Sequence, residues 1–169
     1  MTTGLFYGST NGEAESVAET IKAALGPSLN IYQNIGNTAP KDLEGCDAII
    51  LGISTWNVGQ LQADWDVFWP KMDQTNLTGK KVAIFGLGDQ VAYADSYQDA
   101  VGMLADKVAE RGGTIVGKTA PDGQTFTSTK VLKDGKFQGL CIDAINQDDK
   151  TAERVGNWVP QIKAELGIA

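Results

Sequence analysis

Short, continuously apolar segments alternate with segments of helical periodicity along this chain. Ala48–Ile53 and Val82–Phe85 carry no polar side chain on either face, which is typical of strands in a parallel sheet covered on both sides. Further strands are predicted at Leu5–Tyr7, Leu29–Gln33 and from Thr114 onward. Helices are predicted over Glu13–Leu25, Ala63–Met72, Tyr97–Arg111 and Thr151–Leu166. The alternation predicts an α/β fold with a doubly wound, five-stranded parallel sheet and helices on both faces.

The length fits one domain, which we expect to span residues 1–169. One segment breaks the alternation: Thr119 to Lys136 is polar, contains Pro121, Gly123 and Gly135, and shows no helical pattern. An apolar segment, Phe137 to Ile142, follows it. We therefore expect an insertion that interrupts the last strand. Two interpretations of it remain open, a functional loop and a surface excursion.

Charge and composition exclude several classes of protein. The chain has 14 Lys and Arg against 21 Asp and Glu, a net charge of −7, which disfavours nucleic acids and anionic membranes as partners. It has no histidine, which excludes His-based catalysis and His-ligated metals. Cys46 and Cys141 form no CxxC motif and are expected in the core, not in a disulfide. Without histidine, and with two cysteines that cannot hold a four-cysteine cluster, we expect no metal site. No secretory signal or membrane-spanning segment is visible, so we expect a cytoplasmic protein.

In a doubly wound fold, ligands bind at the carboxyl ends of the strands. Three segments follow the first, third and fourth predicted strands: the first loop (8–14), the second loop (54–62) and the third loop (86–98). The first loop, Gly8-Ser9-Thr10-Asn11-Gly12-Glu13-Ala14, joins a strand to a helix, where backbone N–H groups and the helix dipole can bind an anion. It lacks the Lys of a P-loop and is not a GxGxxG fingerprint. A site for a phosphomonoester and a simple helix cap are both open interpretations.

The second and third loops each contain an aromatic residue. Trp56 follows a buried strand, and Tyr93 lies in the segment Leu87-Gly88-Asp89-Gln90-Val91-Ala92-Tyr93. Either residue alone is more simply explained as packing. Together with a phosphate site they indicate a planar heterocycle held between two rings.

Three segments resemble the FMN loops of flavodoxins: Phe6–Gly12, Thr55–Gly59 and Gly88–Asp95. The insertion resembles that of the long-chain subgroup, and the resemblance covers essentially the whole chain. It implies the strand order 2-1-3-4-5 and FMN as cofactor. It also implies a phosphate cradle in the first loop, Trp56 and Tyr93 on opposite ring faces, and hydrogen bonds from the other two loops to the ring edge. The implied cofactor-binding residues are Ser9, Thr10, Asn11, Gly12, Glu13, Ala14, Ser54, Thr55, Trp56, Asn57, Val58, Gly59, Leu87, Gly88, Asp89, Tyr93 and Gln98.

In the family, the peptide that corresponds to Asn57–Val58 turns over on one-electron reduction, and Gly59 is expected to ease that motion. The chain departs from the family pattern at Asn11, Glu13 and Ala14, where a hydroxyl, a Lys-like residue and another hydroxyl are usual. Losing a phosphate hydrogen bond costs about 1 kcal/mol. Ile145 also stands where long-chain members commonly carry an acid.

The resemblance implies a one-electron carrier that shuttles between the semiquinone and the hydroquinone, not an enzyme. Acidic residues outnumber basic ones between Asp64 and Asp106. One acid about 10 Å from flavin N1, at a dielectric of about 40, raises the energy of the reduced anion by about 0.8 kcal/mol. We therefore expect a low reduction potential for the second electron, the semiquinone/hydroquinone couple.

The expected partners are redox proteins with basic docking patches, such as ferredoxin/flavodoxin–NADP reductase, photosystem I, nitrogenase or a 2-oxoacid oxidoreductase. Asp64, Asp66 and Asp95 are the expected docking acids, and the chain is expected to be a monomer.

The alternatives are an FMN-dependent NAD(P)H:quinone reductase on the same fold and a non-redox binding module. A phospho-acceptor receiver domain is rejected, because Gly8-Ser9-Thr10 and Ser54-Thr55-Trp56 stand where its acids belong.

Overall fold

The computed structural model describes all 169 residues and centres on a parallel sheet. Its strands, in chain order, are β1 (Thr3–Tyr7), β2 (Ile31–Asn34), β3 (Ala48–Trp56), β4 (Gln60–Leu61), β5 (Lys81–Leu87), β6 (Thr114–Val116), β7 (Leu132–Lys133), β8 (Lys136–Phe137) and β9 (Leu140–Ile142). Five of them are parallel neighbours in the order β2-β1-β3-β5-β6. The fourth and fifth strands of the predicted order 2-1-3-4-5 correspond to β5 and β6, and the order is confirmed.

Five α-helices connect the strands: α1 (Glu13–Leu25), α2 (Pro40–Glu44), α3 (Ala63–Met72), α4 (Asp99–Glu110) and α5 (Thr151–Leu166). Three have the predicted bounds, and the short α2 was not predicted. Helix α4 begins two residues later than predicted, because Gln98 has a left-handed backbone (φ 56°) that a helix cannot include. No helix has the length and apolar character required to cross a bilayer.

The two faces of the sheet bury separate apolar cores, as the continuous apolar strands require. Along β1, Phe6 points to one face and Leu5 and Tyr7 to the other. Helices α3 and α4 cover the Phe6 face, and α1 and α5 cover the Leu5 face. Cys46 and Cys141 are buried free thiols in the core of the Phe6 face. Burial raises the pKa of Cys46 to about 11, as expected for a thiol that serves as a small core side chain.

The last strand position is divided between two segments, as predicted. Strand β6 pairs with the first half of β5, and β9 pairs with its second half. Between them the chain leaves the sheet and forms the β7–β8 hairpin, which returns through a bridge between Thr119 and Phe137. The insertion therefore begins and ends beside the carboxyl half of β5.

The carboxyl ends of β1, β3 and β5 meet at one edge of the sheet, where the three loops follow. Strand β3 is longer than predicted: Ser54, Thr55 and Trp56 remain in the strand. They do so because β5 pairs with Ser54, and β4 folds back antiparallel on Thr55 and Trp56. The second loop is thus a strand end and a hairpin. Leu87 likewise ends β5.

Candidate functional site

A cavity of about 180 Å³ opens at this edge, between the three loops. Every loop contributes to its lining, which consists of Asn11, Glu13, Ser54, Thr55, Trp56, Asn57, Leu87, Gly88, Asp89, Tyr93 and Ile145. All but Ile145 are among the predicted site residues. The convergence of three distant segments on one cavity is what the strand order requires of a ligand site in this architecture.

The first loop is closed by its own side chains. Ser9 Oγ accepts hydrogen bonds from the N–H of Gly12 (3.1 Å) and the N–H of Glu15 (3.4 Å), and Asn11 Oδ1 accepts from the N–H of Glu13 (3.1 Å). Gly12 has a left-handed backbone (φ 89°), which a side chain would strain. These contacts are those of a helix cap, as one of the two interpretations predicted. They leave the Ser9 hydroxyl proton and the Asn11 amide N–H₂ free to donate elsewhere.

Several backbone donors of the first loop have no acceptor within the protein. They include the N–H groups of Thr10 and Asn11, together with that of Ala14 in the first turn of α1. Such groups at a helix N-terminus carry partial positive charge. Free donors around a turn with a glycine at its centre fit a ligand group that only accepts hydrogen bonds.

Trp56 lies at the tip of the hairpin of β3 and β4. The turn contains two left-handed residues, Asn57 (φ 48°) and Gly59 (φ 73°), with Val58 between them, 75 % exposed. Asn57 Nδ2 donates to Gln60 Oε1 across the turn (2.8 Å). The indole Nε1 of Trp56 is buried without an acceptor, a further unmet donor beside the cavity.

Tyr93 lies on the third loop, which is held by carboxylates. Asp89 Oδ1 accepts from the N–H of Val91 (3.0 Å) and of Ala92 (2.8 Å) and thereby fixes the turn that carries Tyr93. Asn146 Nδ2 donates to the same oxygen (2.8 Å). Tyr93 itself remains 42 % exposed. Its ring therefore presents a surface that a ligand can contact.

A fully buried carboxylate, Asp143, joins the third loop to the segment that follows β9. It accepts from the backbone N–H (3.1 Å) and the side chain (2.9 Å) of Gln90. It also accepts from the N–H of Ile145 (3.1 Å) and from Asn146 through backbone (3.0 Å) and side chain (2.9 Å). Burial alone would raise the pKa of Asp143, but the hydrogen bonds from Asn146 and Gln90 hold this pKa below its usual value. Asp143 is therefore an ionised anchor.

The charge of the cavity is negative. Glu13 and Asp89 line it, and no lysine or arginine does. The cavity therefore favours ligand groups that donate hydrogen bonds near Asp89, and it disfavours extra negative charge on a bound ring.

Of the predicted docking acids, Asp66 and Asp95 are exposed. Asp64 is partly buried, and its Oδ2 accepts from Gln62 Nε2 (3.0 Å), so it is engaged within the fold.

Seven predicted site residues do not line the cavity: Ser9, Thr10, Gly12, Ala14, Val58, Gly59 and Gln98. All but Gln98 lie in loop segments beside lining residues. Gln98 is completely buried, and its Nε2 donates to the carbonyls of Ile142 (2.9 Å) and Gly86 (3.4 Å). The structure places its side chain in the core, behind β5. The prediction for Gln98 concerned backbone groups of the third loop and stays a prediction; the backbone N–H of Gln98 has no acceptor within the protein.

The chain matches a family model described as Flavodoxin over residues 5–158. The flavodoxin of a Nostoc species is 43 % identical over 165 residues, which cover 98 % of this chain and 97 % of that protein. Flavodoxin 2 of Escherichia coli is 44 % identical over 168 residues, with 98 % and 97 % covered. The chain belongs to the flavodoxin family.

Solved flavodoxin structures agree with this assignment. The structure of Fusobacterium nucleatum flavodoxin bound to flavin mononucleotide superposes with a TM-score of 0.91 at 33 % identity, over 97 % of this chain and 98 % of that one. Oxidised flavodoxin 2 of Bacillus cereus superposes with a TM-score of 0.77 at 27 % identity, over 98 % and 99 %. The flavodoxin architecture is thus shared along the whole chain.

Three residues around this flavodoxin's cavity were absent from the predicted set. Ile145, which lines it, was noted only as a departure from the family pattern. Asp143 and Gln62 were missed, because each is a lone polar residue whose partner lies 53 or 52 positions away in the sequence. Only the tertiary fold brings these partners together.

Proposed function

We propose that this flavodoxin is an electron carrier that uses bound FMN to transfer electrons, one at a time, between redox proteins, and that it is not itself an enzyme. One observation carries the proposal. A cavity flanked by Trp56 and Tyr93 lies next to a helix N-terminus with free backbone donors. A planar ring with a phosphate tail has this shape and hydrogen-bonding character. When bound, FMN supplies the redox chemistry, since the chain has no metal-binding cluster or redox disulfide.

The first loop would hold the phosphate. The free N–H groups of Thr10, Asn11 and Ala14 would donate to its oxygens, and the hydroxyl protons of Ser9 and Thr10 would add further donors. Charge-assisted hydrogen bonds of this kind are each worth about 1.5–3 kcal/mol. Glu13 lies at the rim of the same cavity and opposes the phosphate charge. Salt screens this repulsion, so we expect FMN to bind more tightly at high than at low ionic strength.

The second and third loops would hold the ring. Trp56 and Tyr93 would stack on its two faces, and backbone groups of 55–59 and 87–98 would reach its edge. The Asn57–Val58 peptide lies in an exposed turn that contains two left-handed residues, where a change of peptide orientation requires no repacking of the core. We propose that this peptide reorients to accept a hydrogen bond from the ring when the ring gains a proton.

The electrostatics favour a low potential for the second electron. With Glu13 and Asp89 in the cavity and no basic lining residue, negative charge gained by the ring is destabilised. The aromatic faces of Trp56 and Tyr93 act in the same direction. A second potential above that of free FMN would contradict this account.

The partners we propose are redox proteins with basic patches around their own cofactors. Asp66 and Asp95 are exposed and would steer the approach. Val58, Val91 and Ile145 are exposed apolar side chains near the opening and would form the contact. The proposed partners are ferredoxin/flavodoxin–NADP reductase, photosystem I, nitrogenase or a 2-oxoacid oxidoreductase, which the family resemblance implies.

We further propose that residues 1–169 form a single FMN-binding domain of the long-chain flavodoxin subgroup, working as a cytoplasmic monomer. The support for the subgroup is the insertion between β6 and β9, which divides the last strand position. The quinone reductase alternative is not favoured, because a nicotinamide would need an uncovered ring face and both faces have an aromatic neighbour.

Titration of the flavin-free protein with FMN and with riboflavin, followed by flavin fluorescence, tests this proposal. We expect saturable binding of one FMN per chain, and weaker binding of riboflavin, which lacks the phosphate. Trp56→Ala and Tyr93→Ala should each weaken both ligands, because the ring is common to them. Failure of the wild-type chain to bind FMN would contradict the proposal.

A further inference from the structure

We propose that Gln62 is a positioning residue for the first loop: its side-chain amide fixes the hydroxyl of Thr10 so that the hydroxyl proton is available to the phosphate. This inference rests on the proposed FMN function. Gln62 lies between β4 and α3 and is only 1 % exposed. It does not line the cavity. It therefore acts through Thr10 and not by contact with the ligand.

The orientation of the Gln62 amide is determined by its partners. Oε1 accepts from the backbone N–H of Asp64 (3.1 Å) and of Trp65 (3.3 Å), the first turn of α3. Nε2 donates to Thr10 Oγ1 (3.0 Å) and to Asp64 Oδ2 (3.0 Å). Turning the amide over would bring its N–H₂ group against two N–H donors. The oxygen therefore faces the helix, and the nitrogen faces Thr10.

This orientation decides the direction of the Thr10 hydroxyl. Its oxygen accepts a hydrogen bond from the Gln62 amide, so its single hydrogen must point elsewhere. The Thr10 hydroxyl donates to no group of the protein, and the residue is exposed. A phosphate beside the free N–H of Thr10 would accept a hydrogen bond from that hydroxyl. Without Gln62 the hydroxyl would rotate freely, and binding would have to restrict it.

A second contact fastens Gln62 to the same loop. A Cβ added at Gly8 would lie 2.1 Å from Gln62 Oε1 and 2.8 Å from Trp65 Cδ1. Gly8, which follows β1, in turn donates its N–H to the carbonyl of Gly52 in β3 (3.1 Å). The start of the first loop thus packs directly on the Gln62 amide, with no room for a methyl group. Displacement of either one shifts the other.

Two variants both lose the amide donor to Thr10, together with its bond to Asp64 Oδ2. Gln62→Glu keeps an acceptor for α3 but adds a charge, whereas Gln62→Met adds no charge but loses that acceptor. In both, we expect the preference for FMN over riboflavin, the ratio of their dissociation constants, to fall about five- to tenfold. The affinity for riboflavin should change less than about twofold. The measurement is fluorescence titration of the full-length chain freed of flavin, with thermal unfolding as the check on folding.

Thr10→Val provides the matched control, because it removes the hydroxyl and keeps the shape. In the Thr10→Val background, Gln62→Met should leave the FMN-to-riboflavin preference unchanged. An unchanged preference in Gln62→Met alone would overturn the inference, and so would an equal loss with and without the Thr10 hydroxyl. A wild-type chain that binds no FMN would instead overturn the proposed function. A wild-type chain that binds FMN and riboflavin equally would overturn only the role of the first loop and, with it, that of Gln62.

Discussion

The second and third loops each bring one aromatic side chain to the cavity, but the fold holds them by different means. The third loop is tied down by buried polar groups, above all the Asp143 carboxylate and its bonds to Gln90. The second loop ends in a turn with two left-handed residues and an exposed Val58, fixed by one side-chain hydrogen bond, from Asn57 to Gln60. The third-loop side of the cavity is therefore fixed before any ligand binds, whereas the backbone of the second-loop turn can change its conformation.

The insertion contributes to the fixed side. The N–H groups of Thr127 and Ser128 donate to the carbonyl of Ala94 (2.9 and 3.0 Å). Gln90 Oε1 accepts from the N–H of Thr125 (2.7 Å), and Phe126 stacks on Tyr97 with ring centroids 5.7 Å apart. Of the two interpretations of the insertion, these contacts favour a role in supporting the third loop. A carrier that alternates between redox states benefits from this division, since the ring is held while one peptide adjusts.

The largest expected effect is the loss of the anchor of the third loop. Asp143→Ala leaves the buried donors of Gln90 and the partly buried donors of Asn146 without their acceptor, which should lower the free energy of unfolding by about 3 kcal/mol. Chemical denaturation measures this loss. Hydrogen exchange should show faster exchange in residues 89–98 and little change in residues 55–61. Equal acceleration of both loops would contradict the comparison.

Gly59→Ala tests the second loop. Gly59 has φ 73°, and an added Cβ would lie 2.8 Å from Asp99 Oδ2, whose side chain is fixed by the N–H of Lys130. Strain and contact together should cost about 2 kcal/mol. Gly135→Ala is the matched control, because Gly135 has φ 76° with open space around it. It should cost only about 1 kcal/mol. If denaturation gave the same loss in the free energy of unfolding for Gly59→Ala and Gly135→Ala, the contact with Asp99 would be unimportant.

Acid should weaken the third loop before the second. The pKa of Asp143 is lower in the folded protein than its ordinary value of 3.8, so ionised Asp143 stabilises the fold above the unfolded-state pKa. That stability is lost as the pH falls below about 4 and through the folded-state pKa. Denaturation at a series of pH values should show a smaller acid-dependent loss in Asp143→Asn than in the wild type. A loss of the same size in both proteins would assign the acid sensitivity to other carboxylates.

The smallest effect is expected at Asn57. Asparagine tolerates the left-handed region, so Asn57→Gly removes little strain and loses one exposed hydrogen bond. The change in the free energy of unfolding should stay within about 0.5 kcal/mol. A loss above about 1 kcal/mol in denaturation would mean that the turn is fixed as firmly as the third loop.

The fold and the location of the site were predictable for one physical reason. Strands covered on both faces appear in the sequence as continuous apolar segments. Their order in the sheet places the loops that follow them at a common edge. Trp56 and Tyr93 could be found because each directly follows such a strand or lies in the loop after it. The extension of β3 through Trp56 was missed, because pairing with β4 continues after the apolar pattern ends.

The anchors could not be predicted in this way. Asp143 and Gln62 act through hydrogen bonds between segments that are far apart in the sequence, and polar loop residues show no periodicity. Gln98 at the ring edge was implied by the family resemblance and stays a prediction. That its side chain lies in the core was not foreseen. The direction in which a loop side chain points depends on backbone angles that residue type does not determine.

Stepwise anaerobic reduction of the FMN-loaded protein, followed by its visible spectrum and by the potential of each step, tests the central claim most directly. An electron carrier with one fixed and one adaptable side to its cavity should accept two electrons in separate steps. The one-electron form should accumulate, and the second potential should lie below that of free FMN. Direct bleaching in a single two-electron step would contradict the account and favour hydride chemistry.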